Sequence, residues 1–277
     1  MTMVDAHQHF WKIDLGIYNW ISDDIAGIRR DYQPEHLAPY LKHLGVSKTV
    51  LVQAGESLLE NDAMLAIADN SDFVAGVVAW VDLTTADAPS QLEDLAAHDK
   101  VKSVRPILQG IADSDWVLQP QVVDNLRHLP ELNLCFDALI QPRHLAIVDR
   151  LTDLIPELNV VIDHAAKPVI ANGQAAGPDW ESGMARLAEK PQIFCKLSGM
   201  ATEQGPGWQA STLQPVCDHL LSTFGPRRLM WGSDWPVLEL VGSYTQWFEA
   251  VQQMLSGLND EDRDWVMGKT ATQFYSL

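Results

Sequence analysis

Met3-Val4-Asp5-Ala6-His7-Gln8-His9 opens the chain as a short strand that ends in two histidines. Side chains alternate across a strand, so strict alternation puts Asp5, His7 and His9 on one face and Val4 and Ala6 on the other. Three polar side chains along one face of a buried strand suit either of two arrangements. One is a hydrogen-bonded polar patch in the core. The other is a pair of ligands or catalytic groups at the strand's C-terminal end, with Asp5 holding one imidazole from behind. The rest of the chain bears on that choice.

After this strand a long loop runs from Trp11 to about Arg30 and carries Tyr18, Trp20 and several acids, a length that often marks a segment lying over a site. A helix is expected after Pro34, with Leu37, Leu41 and Leu44 at helical spacing and Gly45 ending it. Strand-like runs follow at Thr49–Gln53, Phe73–Trp80, Val101–Arg105, Leu132–Leu139, Val160–Asp163, Ile193–Leu197 and Arg228–Trp231. Helix-like stretches separate them, at Leu58–Asp69, Pro89–Ala97, Pro120–His128, Pro142–Leu154, Trp180–Glu189, Leu213–Thr223 and Tyr244–Leu255, with a last helix near Glu261–Phe274. Eight alternating units with no linker or low-complexity stretch predict one α/β domain over 1–277, a closed (β/α)8 TIM barrel. An open doubly wound sheet is the alternative, and no Gly-x-Gly-x-x-Gly turn follows any strand to support it.

In such a barrel the active site forms at the C-terminal strand ends. The sixth strand, Asn159 to His164, places His164 in a row with Val160 and Ile162 and turns Asp163 toward the helices. The eighth ends in Trp231-Gly232-Ser233-Asp234-Trp235-Pro236, where Asp234 can serve as general base, metal ligand or turn cap. The fourth points Ser103 and Arg105 the same way as Val101, and Arg105 suits recognition of an oxygen-rich ligand or a salt bridge across the mouth. The seventh pairs Lys196 with Phe194 on one face, and the second offers Gln53. His7, His9, His164 and Asp234 thus fall at three strand ends of one barrel.

The composition narrows the guest. Asp plus Glu outnumber Lys plus Arg 37 to 19, a formal net charge of −18, which disfavours nucleic acid and anionic membrane surfaces as partners. A neutral small molecule is the easier guest. Cys135, Cys195 and Cys217 lack metal-ligand spacing and suit burial in a reducing compartment; with no signal-like N-terminus and no long apolar run, a cytoplasmic protein is expected.

Several motifs stand along the chain in a set order. They are Val-Asp-Ala-His-Gln-His-Phe-Trp at 4–11, Val-Leu-Val-Gln-Ala at 50–54 and Ser-Val-Arg-Pro at 103–106. Phe-Asp-Ala-Leu-Ile-Gln-Pro-Arg-His-Leu at 136–145, Ile-Asp-His-Ala-Ala-Lys-Pro at 162–168, Lys-Leu-Ser-Gly at 196–199 and Trp-Gly-Ser-Asp-Trp-Pro at 231–236 complete them. In that order they are similar to the amidohydrolase superfamily, and in particular to its sugar-lactone hydrolase branch. The resemblance implies a barrel hydrolase that opens a small neutral sugar lactone, L-fucono-lactone or a related aldonolactone. It implies Asp234 as the base toward water, His164, His7 and His9 around the reacting carbonyl or a metal next to it, and a substrate contact from Arg105; Lys196, Trp11 and Gln53 are further candidate substrate contacts. The binuclear pattern of the superfamily is not met, because the fourth strand offers Arg105 and the fifth ends near Asp137 without a histidine. One divalent ion, zinc by preference, held by some of His7, His9, His164 and Asp234, or no metal at all, both stay open. So do a metal-dependent decarboxylase, a hydrolase of a dicarboxylated lactone, a non-catalytic sugar-binding barrel, and homo-oligomerisation.

Overall fold

The structure, a computed structural model, describes residues 2–277. Eight parallel strands follow one another in spatial order: β1 (Met3–Gln8), β2 (Val46–Val52), β3 (Val74–Ala79), β4 (Val101–Val104), β5 (Cys135–Ala138), β6 (Val160–Ile162), β7 (Ile193–Leu197) and β8 (Leu229–Trp231). The ring closes between β8 and β1 just past the end of β8. There Asp234 N–H donates to the His7 carbonyl (2.8 Å) and His9 N–H to the Trp235 carbonyl (2.7 Å). The last joint of the barrel is therefore made by residues that carry the candidate chemistry.

Helices cover the outside, and the one after the first loop shows how locally they are specified. Pro34 occupies its first turn, where a missing N–H costs nothing, and Gly45 ends it at φ 73°, a left-handed conformation that favours glycine. The fifth strand is shorter than its apolar run predicts. Residues 132–134 instead finish the turn after the helix His128–Glu131, with Asn133 at φ 56°. The final helical run breaks into Asp260–Asp264, a wide turn over Trp265–Lys269, and Thr270–Tyr275. The last segment plugs the barrel floor: Ala271, Phe274 and Tyr275 pack with Val4, Ala6, Val50, Val52, Val78, Val161, Phe194 and Met230 in the interior core. Among the described residues no helix is long and apolar enough to cross a membrane.

Strict alternation fails in two strands that build the site. Asp5 pairs with Thr49 but Gln8 with Leu51, so β1 spends three residues against two of β2. Such a bulge turns neighbouring side chains to one face. Ala6 packs inside the barrel and His7 also faces inward, whereas Asp5 faces the helix layer and accepts from the Tyr244 hydroxyl (2.9 Å). Asp5 does not support an imidazole, as the sequence suggested. Its carboxylate takes the backbone N–H of His7 (3.1 Å) and of Ser233 (2.8 Å), which ties β1 to the end of β8. A second irregularity, between Val101 and Ser103, leaves Ser103 and Arg105 inside while Val101 packs outward.

Candidate active site

Four atoms converge where the barrel closes. Asp234 Oδ1 lies 3.4 Å from His9 Nε2, 3.7 Å from His164 Nε2 and 3.8 Å from His7 Nε2, and the His7 and His9 Nε2 atoms are 3.2 Å apart. Glycine makes this crowding possible. A Cβ on Gly199 would stand 2.6 Å from the His164 ring, and one on Gly232 would stand 2.7 Å from the His7 Cβ. Asp234 (φ 57°) and the run His164-Ala165-Ala166-Lys167 (φ 50–58°) are all left-handed, a conformation that costs a non-glycine residue on the order of 1 kcal/mol. Trp180 helps to hold the run by donating its indole N–H to the Ala165 carbonyl (2.8 Å).

Above these atoms opens a cavity of about 450 Å³, lined by His9, Arg105, His164, Lys167 and Asp234 on its polar side. Ile17 and Trp20 of the first loop, with Ile107, Leu139 and Val237, form an apolar side, and Asn19, Glu56 and Gln109 complete the rim. Three of the four expected catalytic residues thus face the cavity. His7 does not; it is sealed one layer beneath, its ring centroid 4.4 Å from that of His164.

Of the expected substrate contacts, Arg105 alone lines the cavity. Its Nη1 donates to Asp163 Oδ2 (2.9 Å) and its Nη2 to the Gln53 carbonyl, while Nε is buried without a partner among the described residues. Gln53 is wholly buried and holds Arg105 by donating to its carbonyl (2.6 Å). Trp11 stands in the wall behind His9 and donates to the Arg30 carbonyl (2.8 Å). Lys196 does face inward, but below the site. It is fully buried, with Nζ 2.5 Å from Asp137 and 3.0 Å from Asp163. Asp163, expected to point toward the helices, is the hub of that interior network, because Val161 and not Ile162 is the inward residue of β6. Arg143, a cation of one matched motif, braces the loop over Gln109 and Ile111 through their carbonyls.

Sequence reasoning did not single out Asn19, Glu56, Gln109 or Lys167 as lining residues. Loop residues show their direction only once the strands beneath them are placed. Lys167 alone carried a signal, inside the 162–168 motif.

The electrostatics favour an ionised carboxylate beside the neutral rings of His164 and His7. Burial alone would raise Asp234, but His164, His9 and His7 around it outweigh that and hold its carboxyl below the usual range. Burial pushes His164 down to about 4 and His7 well below its usual value, with Asp234 and Asp163 opposing the shift only in part.

The donor set also fits a divalent ion. Four ligands at zinc–nitrogen and zinc–oxygen distances stand roughly 3.3–3.4 Å from one another in a tetrahedron, and the four atoms here are spaced at 3.2–3.8 Å where measured. His7, His9 and Asp234 form one potential ion-holding group among the described residues, and His7, Asp163 and His164 a second.

A (β/α)8 barrel with histidines at the ends of its first and sixth strands and an aspartate after its eighth defines a class of hydrolytic barrels. The chain matches the amidohydrolase family over residues 4–277 and belongs to it. It is 39% identical over 99% of its length to an L-fucono-1,5-lactonase from Burkholderia ambifaria, covering 95% of that protein. An L-fucono-1,5-lactonase from Burkholderia multivorans is 32% identical, with 99% of this chain and 96% of that protein covered. A crystal structure of a Burkholderia multivorans amidohydrolase with bound zinc superposes with a TM-score of 0.94 at 31% identity, over the whole of both chains.

Proposed function

We propose that the protein is a lactonase that opens a small neutral sugar lactone to the sugar acid, L-fucono-1,5-lactone being the first substrate to test. The observation that carries this reading is an ionised Asp234 beside the neutral imidazoles of His164 and His7 at the floor of a cavity sized for one sugar ring. The names of its relatives point the same way.

A water beside Asp234 gives its proton to the carboxylate as its oxygen attacks the lactone carbonyl. Arg105 and His164, which both line the cavity, stabilise the oxyanion as it forms, the step at which preorganised donors contribute most. The tetrahedral intermediate collapses, the ring C–O bond breaks, and protonated Asp234 returns its proton to the leaving ring oxygen. Trp20 and Ile17 give the sugar an apolar wall and Gln109, Asn19 and Glu56 a hydroxyl-reading rim. His7, His9, His164 and Asp234 would hold a zinc ion, which supplies carbonyl polarisation and a more acidic water when bound.

A dicarboxylated lactone would require two fixed cations, whereas Lys167 is already paired with Glu203 (3.2 Å) and Glu56 adds a negative charge to the rim. The three buried free cysteines suit a cytoplasmic enzyme. A pH-indicator assay over a lactone panel, with and without prolonged chelation, tests the reading. Acid release from L-fucono-1,5-lactone is expected; binding without acid release, or release of carbon dioxide from aromatic acids, would overturn it.

A further inference from the structure

Beneath the site, two charged side chains of opposite sign reach the same nitrogen of His7. Lys196 Nζ is 3.2 Å from His7 Nδ1 with hydrogen-bond geometry, and Asp163 Oδ1 is 3.4 Å from it. An ammonium can only donate and a carboxylate can only accept, while a neutral imidazole carries one N–H and one lone pair. The two contacts therefore call for opposite tautomers.

His9 helps to decide between them. Its Nδ1 lies 2.7 Å from the Val52 carbonyl oxygen, which only accepts, so the His9 proton is on Nδ1 and a lone pair is on Nε2. That lone pair faces His7 Nε2 at 3.2 Å. Two lone pairs so placed repel unless a cation or a proton lies between them. With no cation there, a proton on His7 Nε2 resolves the contact and leaves the lone pair on Nδ1, where Lys196 donates. Arg105 Nη1 keeps a second N–H after donating to Asp163 Oδ2 (2.9 Å) and also approaches His7 Nε2, but at 3.4 Å this contact is longer than the 3.2 Å contacts that His7 makes with Lys196 and His9. Asp163 Oδ1 is ion-paired with Lys196 Nζ at 3.0 Å but accepts no well-aligned hydrogen bond among the described residues, so it keeps capacity for a ring N–H.

We propose that Lys196 is a positioning residue that sets the tautomer of His7. In the cation-free site Lys196 donates to Nδ1 and His7 turns an Nε2–H toward His9 and Asp234. When a divalent cation takes the Nε2 lone pair, the ring proton sits on Nδ1 and Asp163 Oδ1, 3.4 Å away and already ion-paired with Lys196, accepts it. The ring keeps one proton throughout, so the device is a tautomer exchange rather than a titration. The same barrel floor thus supports two forms of the site without rearranging its backbone. This rests on placing His7 under the proposed catalytic groups, and its test reads a ring proton instead of turnover, so the two can fail separately.

Long-range proton–nitrogen spectra of full-length protein labelled at histidine, with His7 assigned from the signal lost in His7→Gln, give the tautomer directly. The chelated protein is expected to show His7 protonated at Nε2, changing to Nδ1 on addition of one equivalent of zinc. In Lys196→Met the Nδ1 form is expected without zinc, and zinc affinity, read by competition with a chromogenic chelator, is expected to rise at least tenfold. A Lys196 that only supports the fold would lower stability and move neither readout. An Nδ1 proton in the chelated wild type, or no tautomer change on zinc addition, would overturn the proposal. These wild-type spectra decide the matter even if Lys196→Met does not fold.

Discussion

Two polar layers lie one above the other inside this barrel, and they differ in whether their bonds are closed. In the lower layer Lys196 faces Asp137 and Asp163, and Arg105 Nη1 donates to Asp163. Ser103 Oγ (2.6 Å) and the Tyr275 hydroxyl (2.7 Å) both donate to Asp137. Tyr275 belongs to the C-terminal plug, so this layer also fixes the barrel floor. In the upper layer Asp234, His9 and His164 stand around a cavity with capacity to spare. Polar groups that answer one another hold geometry; those left facing a cavity are completed by a ligand. Substitutions in the two layers should therefore fail in different ways.

The sharpest break in that comparison comes from Asp234→Asn. Asparagine tolerates the left-handed backbone at this position, so the fold should survive while the base is lost. Turnover is expected to fall by about 10³- to 10⁴-fold with the melting temperature almost unchanged, and near-wild-type turnover would remove Asp234 from the chemistry. The wild-type profile follows from the same layer. His164, pushed down to about 4 chiefly by burial, is neutral above that value. Any limb of the kcat/KM profile that belongs to His164 should then appear only below about pH 5, as that ring gains a proton.

The lower layer should show the reverse pattern. Lys196→Met leaves two buried carboxylates short of a cation, and breaking a buried pair from one side costs about 3–5 kcal/mol. Denaturant unfolding reads this, and a loss under about 1 kcal/mol would mean that the layer is not a closed unit.

These layers were unequally legible from the sequence. The alternation of apolar runs and helical spacing announces eight strands because each element is specified locally, by Pro34 and Gly45 for instance. His9, His164, Arg105 and Asp234 could be placed in the mouth because strand ends face one side of any barrel. Direction within a strand was less secure. The bulge in β1 and the irregularity at Lys102 shift parity by one residue, and nothing in Asp5-Ala6-His7 or Val101-Lys102-Ser103 announces an extra residue, since register depends on the neighbouring strand. Asp163 was misplaced because β6 turns inward at Val161. The whole lower layer went unseen as a layer, for its partners are brought together from β4, β5, β6, β7 and the last helix.

Arg105 spans the two layers and should show a mixed loss. Lysine at this position keeps a charge but lacks the planar fork that reaches Asp163, Gln53 and the cavity together. For Arg105→Lys a fall of roughly 100-fold in kcat/KM is expected, the effect of removing one oxyanion donor. A stability loss smaller than that of Lys196→Met should accompany it, since Lys196 still faces Asp163.

The smallest effect is expected behind the cavity wall, at Glu60. Its carboxylate accepts the backbone N–H of Ala54 (2.9 Å) and of Gly55 (2.7 Å), both cavity-lining residues, without reaching the cavity itself. Burial pushes its pKa up to about 7, although those two N–H groups pull the other way. A carboxyl whose folded pKa is raised contributes stability that is present below its unfolded value and lost as pH rises through the folded one. Between about pH 4.5 and about pH 7 the wild type should therefore lose on the order of 2 kcal/mol that Glu60→Gln does not lose. The Gln variant starts lower, because its amide nitrogen cannot accept the second N–H. Its kcat should hold while KM rises a few-fold, since the wall shifts and the reacting groups do not. A drop in kcat at unchanged KM would instead place Glu60 among the groups that the transition state senses, and would move the boundary between the closed and open layers outward to the wall.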